Sequence, residues 1–264
     1  MTYLQIKTIH AKICTDIKNI KAIISVDLFG LPANATKINK IAKDFGLIVI
    51  EDAAQGFGGS IDGNKAGSLA DIGCTSFFPA KPLGCYGDGG AIFTDSDDIA
   101  NTLKSIRVHG QGEDKYQNVR LGLTGRLDTI QAAVLLPKLE VFDVEIEQRQ
   151  NVAKLYTANL ANVDGITTPS IPDGYVSAWA QYTLMAKDDN HRTLIMEHLK
   201  NNDIPVAVYY PIPLHEQKVF ESLGYNSKDF PTSSNAAQRV FSLPMHPYLE
   251  SKDIETICDL IGTL

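Results

Sequence analysis

A lysine lies between a short aromatic segment and a glycine-rich turn. Residues 74–91 read Cys-Thr-Ser-Phe-Phe-Pro-Ala-Lys-Pro-Leu-Gly-Cys-Tyr-Gly-Asp-Gly-Gly-Ala, with Lys81 as the lysine of this stretch. An amine can form a Schiff base with an aldehyde cofactor when a rigid loop holds it in place. Upstream, Asp52 ends an apolar segment, and a carboxylate beside a pyridine nitrogen keeps that nitrogen protonated. Lys81 and Asp52 therefore suggest a pyridoxal phosphate (PLP) site.

Two polar residues accompany this pair. Gln55 follows Asp52 by three positions, and its amide could hydrogen-bond a phenolate oxygen of the same cofactor. Ser76 precedes Lys81 by five positions and could offer its hydroxyl to a phosphate. Asp52 and Ser76 each have a simpler alternative, because a strand-end aspartate is often a turn former or helix cap and a serine often bonds only to the backbone. The glycines of residues 84–90 lack the Gly-x-Gly-x-x-Gly spacing, which argues against a dinucleotide site.

Other polar and aromatic residues are candidates for substrate binding. His109 follows a predicted helix and Arg126 opens the next one, although each could instead only cap a helix end. The segment Tyr-Tyr-Pro-Ile-Pro-Leu-His contains Tyr209, Tyr210 and His215 among prolines. We predict a rigid loop that faces the substrate; the alternative is a packed aromatic joint between domains.

The patterning around these residues predicts alternating strands and helices. Residues 22–26 and 47–50 are short apolar runs, typical of parallel strands covered on both faces, and residues 36–45 between them have helical spacing. Ligands of such sheets bind at the carboxyl ends of the strands, where Asp52 lies. Further strands are predicted at residues 74–78 and 90–94, and a helix at 97–108.

The second half of the chain differs in composition. A helical region starts near residue 128, and Pro137 is expected to kink or restart it. Beyond residue 165 the sequence predicts short strands at 181–185 and 206–209, proline-rich joints, and helices near 191–201 and 252–263, which together indicate a smaller α+β domain. We therefore predict two domains, residues 1–140 and 141–264.

Composition excludes several classes of protein. The 264 residues are 44% hydrophobic and 21% charged, as in globular proteins, and the net charge of −7 without a basic run argues against nucleic acid. No apolar run approaches the roughly 20 residues that cross a bilayer, so we expect no membrane association and a cytoplasmic protein. The four cysteines lie far apart, which is neither a disulfide framework nor a zinc pattern, and predicts reduced thiols.

Three segments together resemble the DegT/DnrJ/EryC1/StrS family of sugar aminotransferases. Val-Asp-Leu-Phe-Gly-Leu-Pro-Ala (26–33) is similar to the family's Val-His-Leu-Tyr-Gly-x-Pro-Ala. Glu-Asp-Ala-Ala-Gln (51–55) resembles its Asp-x-x-Gln/His site, and Ser-Phe-Phe-Pro-Ala-Lys (76–81) its Ser-Phe-Phe-x-x-Lys loop. The resemblance implies the fold of type I PLP enzymes, with a partial large α/β/α domain and a smaller carboxyl-terminal domain.

The resemblance also implies roles for individual residues. Lys81 would link to PLP and act as general acid and base, and Asp52 would pair with the ring nitrogen. Gln55 would lie near the ring hydroxyl, and Ser76 would bind the phosphate. Family members commonly have an asparagine, which reaches the neighbouring subunit's phosphate, where this chain has Thr124. A homodimer is implied, with Thr124 and Arg126 near the partner's cofactor.

The segment Gly-Arg-Leu-Asp-Thr-Ile-Gln-Ala-Ala (125–133) is similar to family members that aminate nucleotide-linked 3-oxo sugars, including uronic acids, for bacterial surface polysaccharides. The implied reaction transfers an amino group from glutamate to such a sugar. Related sugar dehydratases replace the lysine with histidine, so Lys81 argues against them. Family members carry a longer amino-terminal segment with a phosphate-binding turn. We therefore expect a truncated product, part of a split enzyme, or a domain completed by another polypeptide; a non-catalytic remnant is the rival hypothesis.

Overall fold

A computed structural model describes residues 20–264, which form two compact units. The first unit contains residues up to 146 and residues 171–180, and the second contains residues 147–170 and 181–264. Cys14 lies outside the described residues. The other three cysteines, Cys74, Cys85 and Cys258, are free thiols, as predicted.

The first unit is built on a four-stranded sheet in the order β1-β2-β5-β6. Its strands are β1 (Ala22–Val26), β2 (Ile48–Asp52), β5 (Ile72–Ser76) and β6 (Gly90–Phe93). The first three are parallel, and β6 is antiparallel to β5. A smaller sheet is formed by β3 (Ser60–Ile61), β4 (Asn64–Lys65) and β8 (Tyr175–Val176).

Helix α1 (Ala35–Phe45) connects β1 to β2, as the apolar spacing predicted. The Asn34 side chain caps its first turn by accepting a hydrogen bond from the Lys37 N–H at 3.1 Å, and Gly46 ends it in the left-handed conformation with φ 65°. Its buried face packs on Val49 through Ile38 and Ala42. The β-α-β unit therefore forms as expected from the sequence.

Helix α2 (Asp97–Arg107) follows β6, and helix α3 (Thr129–Leu160) is a single helix of 32 residues. The helix does not restart at Pro137, because it continues through this residue. The nearby side chains of Leu135, Phe142 and Ile146 are buried in a core cluster with Phe77 and Leu83. We attribute the continuity to this packing, which offsets the hydrogen bond that proline cannot donate.

The other face of the large sheet differs from the expectation of two covered faces. Ile24, Val26 and Ile48 are 67%, 45% and 48% exposed within the described structure, and Ile92 on the same face is 52% exposed. The residues that alternate with them in the same strands lie against α1 and the loops. The apolar runs therefore predicted the positions of the strands correctly. They also predicted that both faces of the sheet are buried, and in the described part of the chain one face is exposed.

The second unit contains the end of α3, a sheet in the order β10-β9-β7 and three further α-helices. The elements are β7 (Ile166–Thr167), β9 (Tyr182–Ala186), α4 (Asp189–Asn201), α5 (Pro231–Arg239), β10 (Val240–Leu243) and α6 (Ser251–Gly262). The predicted strand at 206–209 is reduced to a single bridge between Ala207 and Ser242. In the core, the Tyr156 and Tyr182 rings stack at 4.9 Å, and their hydroxyls bond to Pro244 O and to Thr157.

Candidate active site

The topology brings Asp52 and Ser76 to the same edge of the sheet. They are the last residues of the parallel neighbours β2 and β5, and Asp52 is in register with Cys74. Because side chains alternate between faces, Cys74 and Ser76 project from the same face as Asp52. The carboxyl ends of parallel strands are where α/β sheets bind ligands, so this edge is the candidate site.

Asp52 is half-buried and has one carboxylate oxygen engaged. Its Oδ1 accepts a hydrogen bond from the Ala54 N–H at 3.1 Å, while Oδ2 accepts none from the described residues. The bond to Ala54 fixes the side chain at the strand end. The second oxygen could therefore accept a proton-bearing nitrogen of a ligand.

The thiol of Cys74 lies beside this acid. Burial is the main cause that raises the pKa of Cys74, and the negative charges of Asp52 and then Glu51 raise it further. The thiol is therefore held in its protonated form at neutral pH, and it does not resemble the activated cysteine of a nucleophilic site.

The loop that carries Lys81 is fixed by backbone hydrogen bonds. Lys81 N–H donates to Phe78 O at 2.9 Å, and Cys85 N–H donates to Phe77 O at 2.8 Å. The buried Cys85 Sγ lies 2.9 Å from Phe77 O and 3.1 Å from Gly87 O, so its single S–H has two carbonyl acceptors within reach. The Lys81 amine forms no hydrogen bond or ion pair with the described residues. A rigid loop thus presents an uncommitted amine, as a covalent cofactor link requires.

Two residues of α3 support the same loop and were missed by the sequence analysis. Gln131 accepts a hydrogen bond from Tyr86 N–H at 2.8 Å, and the Lys138 amine donates to Gly84 O at 2.6 Å. Lys138 also lies over the Tyr86 ring, 5.4 Å from its centroid. These contacts join positions 45 and 54 residues apart, so no local pattern could have revealed them.

Ser76 and Gln55 are already engaged by the backbone. The Ser76 hydroxyl accepts from Phe78 N–H at 3.2 Å and keeps its own proton to donate. Gln55 is 6% exposed, and its Oε1 accepts from Phe29 N–H at 2.6 Å. Phe29 has the left-handed φ of 63°, which this bond helps to hold. A contact between Gln55 and a ligand oxygen would therefore use its amide nitrogen.

His109 and Thr124 meet on an exposed segment of the first unit. Residues 108 and 124 form an antiparallel bridge, and His109 Nδ1 lies 3.5 Å from Thr124 Oγ1. His109 N–H also donates to Leu123 O at 3.0 Å. Arg126 is exposed and forms no hydrogen bond with the described residues. The structure thus groups the first two residues and leaves Arg126 open to solvent.

Tyr209, Tyr210 and His215 lie in the second unit. The two phenol rings are in edge contact with centroids 5.9 Å apart, and Tyr210 is 54% exposed. The His215 Nε2 lies 3.3 Å from Ser234 Oγ and 3.3 Å from Glu216 Oε1. Its ring also packs on Phe230 at 4.7 Å. His215 thus has its neighbours within its own unit, whereas the hydroxyl-bearing ring of Tyr210 is accessible.

The donor set at the strand edge suits pyridoxal phosphate. Lys81 offers an unpaired amine, Asp52 an open carboxylate oxygen and Ser76 a hydroxyl, which are the groups required for the aldehyde, the ring nitrogen and the phosphate of this cofactor. The open Oδ2 of Asp52 is the observation that supports this fit, because a strand-end aspartate acting only as a cap would use its oxygens on backbone N–H groups.

Comparison with known proteins gives the same family as the motifs. A family model described as "DegT/DnrJ/EryC1/StrS aminotransferase family" matches residues 2–262. A Pseudomonas aeruginosa protein named UDP-2-acetamido-2-deoxy-3-oxo-D-glucuronate aminotransferase is 49% identical over 238 residues, 90% of this chain. The chain spans 64% of the length of that relative.

Solved structures agree on the fold. The crystal structure of a DegT DnrJ EryC1 StrS aminotransferase from Brucella abortus matches with a TM-score of 0.91 at 44% identity, covering 97% of this chain and 68% of the other. DesV of S. venezuelae, solved in complex with a ketimine intermediate, matches with a TM-score of 0.87 at 31% identity, covering 92% and 64%. The predicted fold class, that of the type I PLP enzymes, is thereby confirmed, and the chain belongs to the DegT/DnrJ/EryC1/StrS aminotransferase family.

Proposed function

We propose that this protein is a PLP-dependent aminotransferase that transfers an amino group from glutamate to the keto group of a nucleotide-linked sugar. The observation that carries the proposal is the placement of Asp52 and Ser76 on one edge and face of the sheet, followed by the fixed loop of Lys81. The similar P. aeruginosa protein is named for a UDP-linked 3-oxo uronic acid, which supports a UDP-3-oxo sugar or uronic acid as substrate.

The residues of the chain would divide the work as follows. PLP, when bound, supplies the electron sink that stabilises negative charge at the carbon bearing the amino group. The Lys81 amine holds the cofactor and then moves a proton to and from that carbon. The Asp52 carboxylate keeps the proton on the ring nitrogen, and the Ser76 hydroxyl donates to the phosphate. The Gln55 amide nitrogen donates to the ring oxygen.

The remaining candidates would bind substrate or the cofactor of a partner subunit. We propose a homodimer in which Thr124 contacts the partner's cofactor phosphate and His109 and Arg126 contact substrate. Exposure of the segment that carries these three residues supports this role, because their polar groups are open to a second molecule. Tyr209, Tyr210 and His215, which lie in the second unit, remain predicted substrate-binding residues. A role in surface polysaccharide synthesis in the cytoplasm remains a prediction from the resemblance; among the described residues, no helix is both long and apolar enough to span a bilayer.

One observation favours a second candidate, a subunit that works only together with another polypeptide. The face of the large sheet that carries Asp52 also carries the exposed side chains of Ile24, Ile48 and Ile92. Parallel sheets normally bury both faces, so an apolar partner on this face would complete the fold beside the site. In this case the protein would bind PLP weakly or not at all when purified alone.

The test measures how much PLP is bound covalently at Lys81 and whether the protein converts glutamate to 2-oxoglutarate. Purified protein is incubated with PLP and reduced with borohydride, and the labelled peptide is identified by mass spectrometry. We expect label on Lys81, none in Lys81→Ala, and full label in Lys40→Ala, which removes an exposed lysine of α1. The natural protein and Lys40→Ala should convert glutamate to 2-oxoglutarate and then aminate a UDP-3-oxo sugar. Lys81→Ala should do neither.

The outcomes separate the two candidates. Label on Lys81 with turnover of both substrates supports the aminotransferase. Little or no label on Lys81, or label without turnover, supports the subunit that needs a second polypeptide. Label distributed over other lysines and unaffected by Lys81→Ala would contradict the assignment of the site.

A further inference from the structure

Two buried acids meet on the covered face of the sheet. Asp27 follows β1 and is 1% exposed, and Glu51 of β2 is 2% exposed. Both carboxylate oxygens of Glu51 are engaged, since Oε1 accepts from Gly67 N–H and Oε2 from Leu69 N–H, each at 2.9 Å. Glu51 therefore anchors the loop that precedes β5.

One of the two carboxylate oxygens of Asp27 accepts a hydrogen bond and the other does not. Its Oδ1 accepts from Ala33 N–H at 2.9 Å, but its buried Oδ2 has no hydrogen-bond donor among the described residues. Gly56 packs so closely against this carboxyl group that a Cβ there would collide with Oδ2. The space between Asp27, Asn39 and Glu51 leaves no room for a water molecule. An ionised Asp27 would thus bury an uncompensated charge.

No cation among the described residues compensates this charge. Gly56 packs on the carboxyl group, and the narrow space beside it is lined by residues of β1, α1, β2, the loop after β1 and the loop before β5. None of these lining residues is a cation: besides Glu51 they are Ser25, Ala33, Ala35, Asn39, Val49, Leu69 and Ala70. The charged groups that act on Asp27 are the acids Glu51 and Asp52. Burial raises the pKa of Asp27 most, the Ala33 N–H lowers it, and Glu51 and Asp52 raise it further, to about 8. A proton on Oδ2 removes the charge and provides a donor for the Glu51 carboxylate.

We infer that Asp27 is a neutral carboxylic acid that donates its proton to Glu51 and thereby positions Asp52 at the candidate site. The Asp27 backbone N–H donates to Asp52 O at 3.0 Å, so the backbone of Asp27 is bonded directly to the residue whose carboxylate faces the other side of the sheet. Asp27 is thus a positioning residue. Only the assigned role of Asp52 rests on the proposed function; the shared proton does not.

The first experiment tests the proton through stability. Urea unfolding is followed by fluorescence of Trp179, the single tryptophan, whose neighbour Ala178 bonds to Gly30 O in the same loop as Asp27. The folded chain keeps a proton that the unfolded chain releases above its ordinary pKa of 3.8, so rising pH favours unfolding until about pH 8. Asp27→Asn keeps an oxygen for Ala33 N–H and an N–H for Glu51, but has no proton to release.

The unfolding constant of the natural protein is expected to depend more steeply on pH than that of Asp27→Asn. From pH 5 to pH 8 the unfolding constant of the natural protein should rise by about 500-fold more than that of Asp27→Asn. Asp44→Asn, an exposed acid of α1, should keep the slope of the natural protein. If Asp27→Asn and the natural protein have parallel pH dependences, Asp27 is not protonated and the inference is overturned.

The second experiment tests the positioning. The apparent affinity for PLP is titrated from pH 7 to pH 9.5 in both proteins, and the ratio of the two values cancels the cofactor's own titration. If only the neutral acid holds Asp52 in place, the affinity of the natural protein should fall about tenfold relative to Asp27→Asn by pH 9. A constant ratio would overturn the positioning role. If neither protein binds PLP, the chain purified alone is not the proposed aminotransferase and the second candidate is favoured, while the urea experiment still decides the state of Asp27.

Discussion

Glu51 and Asp52 are consecutive acids of one strand, yet they lie on opposite faces of the sheet. They differ in burial and in the number of their oxygens that accept hydrogen bonds. Glu51 is 2% exposed, and both its oxygens accept backbone N–H groups. Asp52 is half-buried, and one of its oxygens accepts no bond from the described residues. The comparison shows that one strand can use one acid to hold its loops and the next to meet a ligand.

The two faces of the neighbouring strand β5 also carry different kinds of residue. On the Glu51 face, Gly73 is in register with Glu51, and any side chain there would collide with Gly67 of the loop that Glu51 holds. On the Asp52 face, the corresponding positions are Cys74 and Ser76. The covered face therefore fixes the backbone so closely that the other face can present polar groups at a set spacing.

The largest effect should come from removing the buried acid. Glu51→Ala leaves the N–H groups of Gly67 and Leu69 buried without acceptors, and we expect a loss of about 4 kcal/mol in the free energy of unfolding. Urea denaturation at pH 7 measures this loss. A loss below about 1 kcal/mol would mean that the loop does not depend on Glu51.

Asp52→Asn should produce the opposite pattern. The amide keeps an oxygen for Ala54 N–H but has no negative charge for a ring nitrogen. We expect aminotransferase activity to fall at least about 100-fold, since an electrostatic group at a reacting centre is removed. The unfolding free energy should change by less than about 1 kcal/mol, which is usual where no buried group loses its partner. Activity is measured with glutamate, and Asp44→Asn is the control. Equal activity of the two variants would argue against the role of Asp52.

A smaller effect is expected from the helix that covers the Glu51 face. Asn34→Ala removes the side chain that accepts from Lys37 N–H at the start of α1, and the protein should lose about 1 kcal/mol of stability. The glutamate reaction should be unaffected after folding is allowed for. Asn34→Asp, which keeps the cap, should retain full stability, and equal losses in both variants would show that the cap does not matter.

The smallest effect concerns the reactivity of Cys74. Its raised pKa means that the thiolate is scarce at pH 7.5, so iodoacetamide should modify it several-fold more slowly than a thiol in the urea-unfolded chain. Peptide mass spectrometry gives the rate at this residue. Asp52→Asn removes one of the charges that raise the pKa and should increase the rate. An unchanged rate would mean that the charge of Asp52 does not affect the pKa of the Cys74 thiol.

Local sequence patterns were sufficient for much of the fold. Periodicity placed β1, α1 and β2 within a residue or two of their observed bounds, because each element's apolar spacing reflects its own geometry. It failed at Pro137, where packing of a long helix outweighs the local preference for a break, and at residues 206–209, where only one bridge forms. It also failed for the face that carries Ile24, because an apolar run does not reveal what covers it.

The sequence by itself determined the family, the strand and helix order, and the candidate chemistry of Lys81, Asp52 and Ser76, because these depend on residue types at short fixed spacings. Only the tertiary structure showed that Gln131 and Lys138 support the Lys81 loop and that Gln55 holds Phe29 through its oxygen. It also showed that Asp27 lies beside Glu51 with no cation from the described residues. These relations join residues that lie far apart in the chain, and their energies depend on burial, which is a property of the folded molecule.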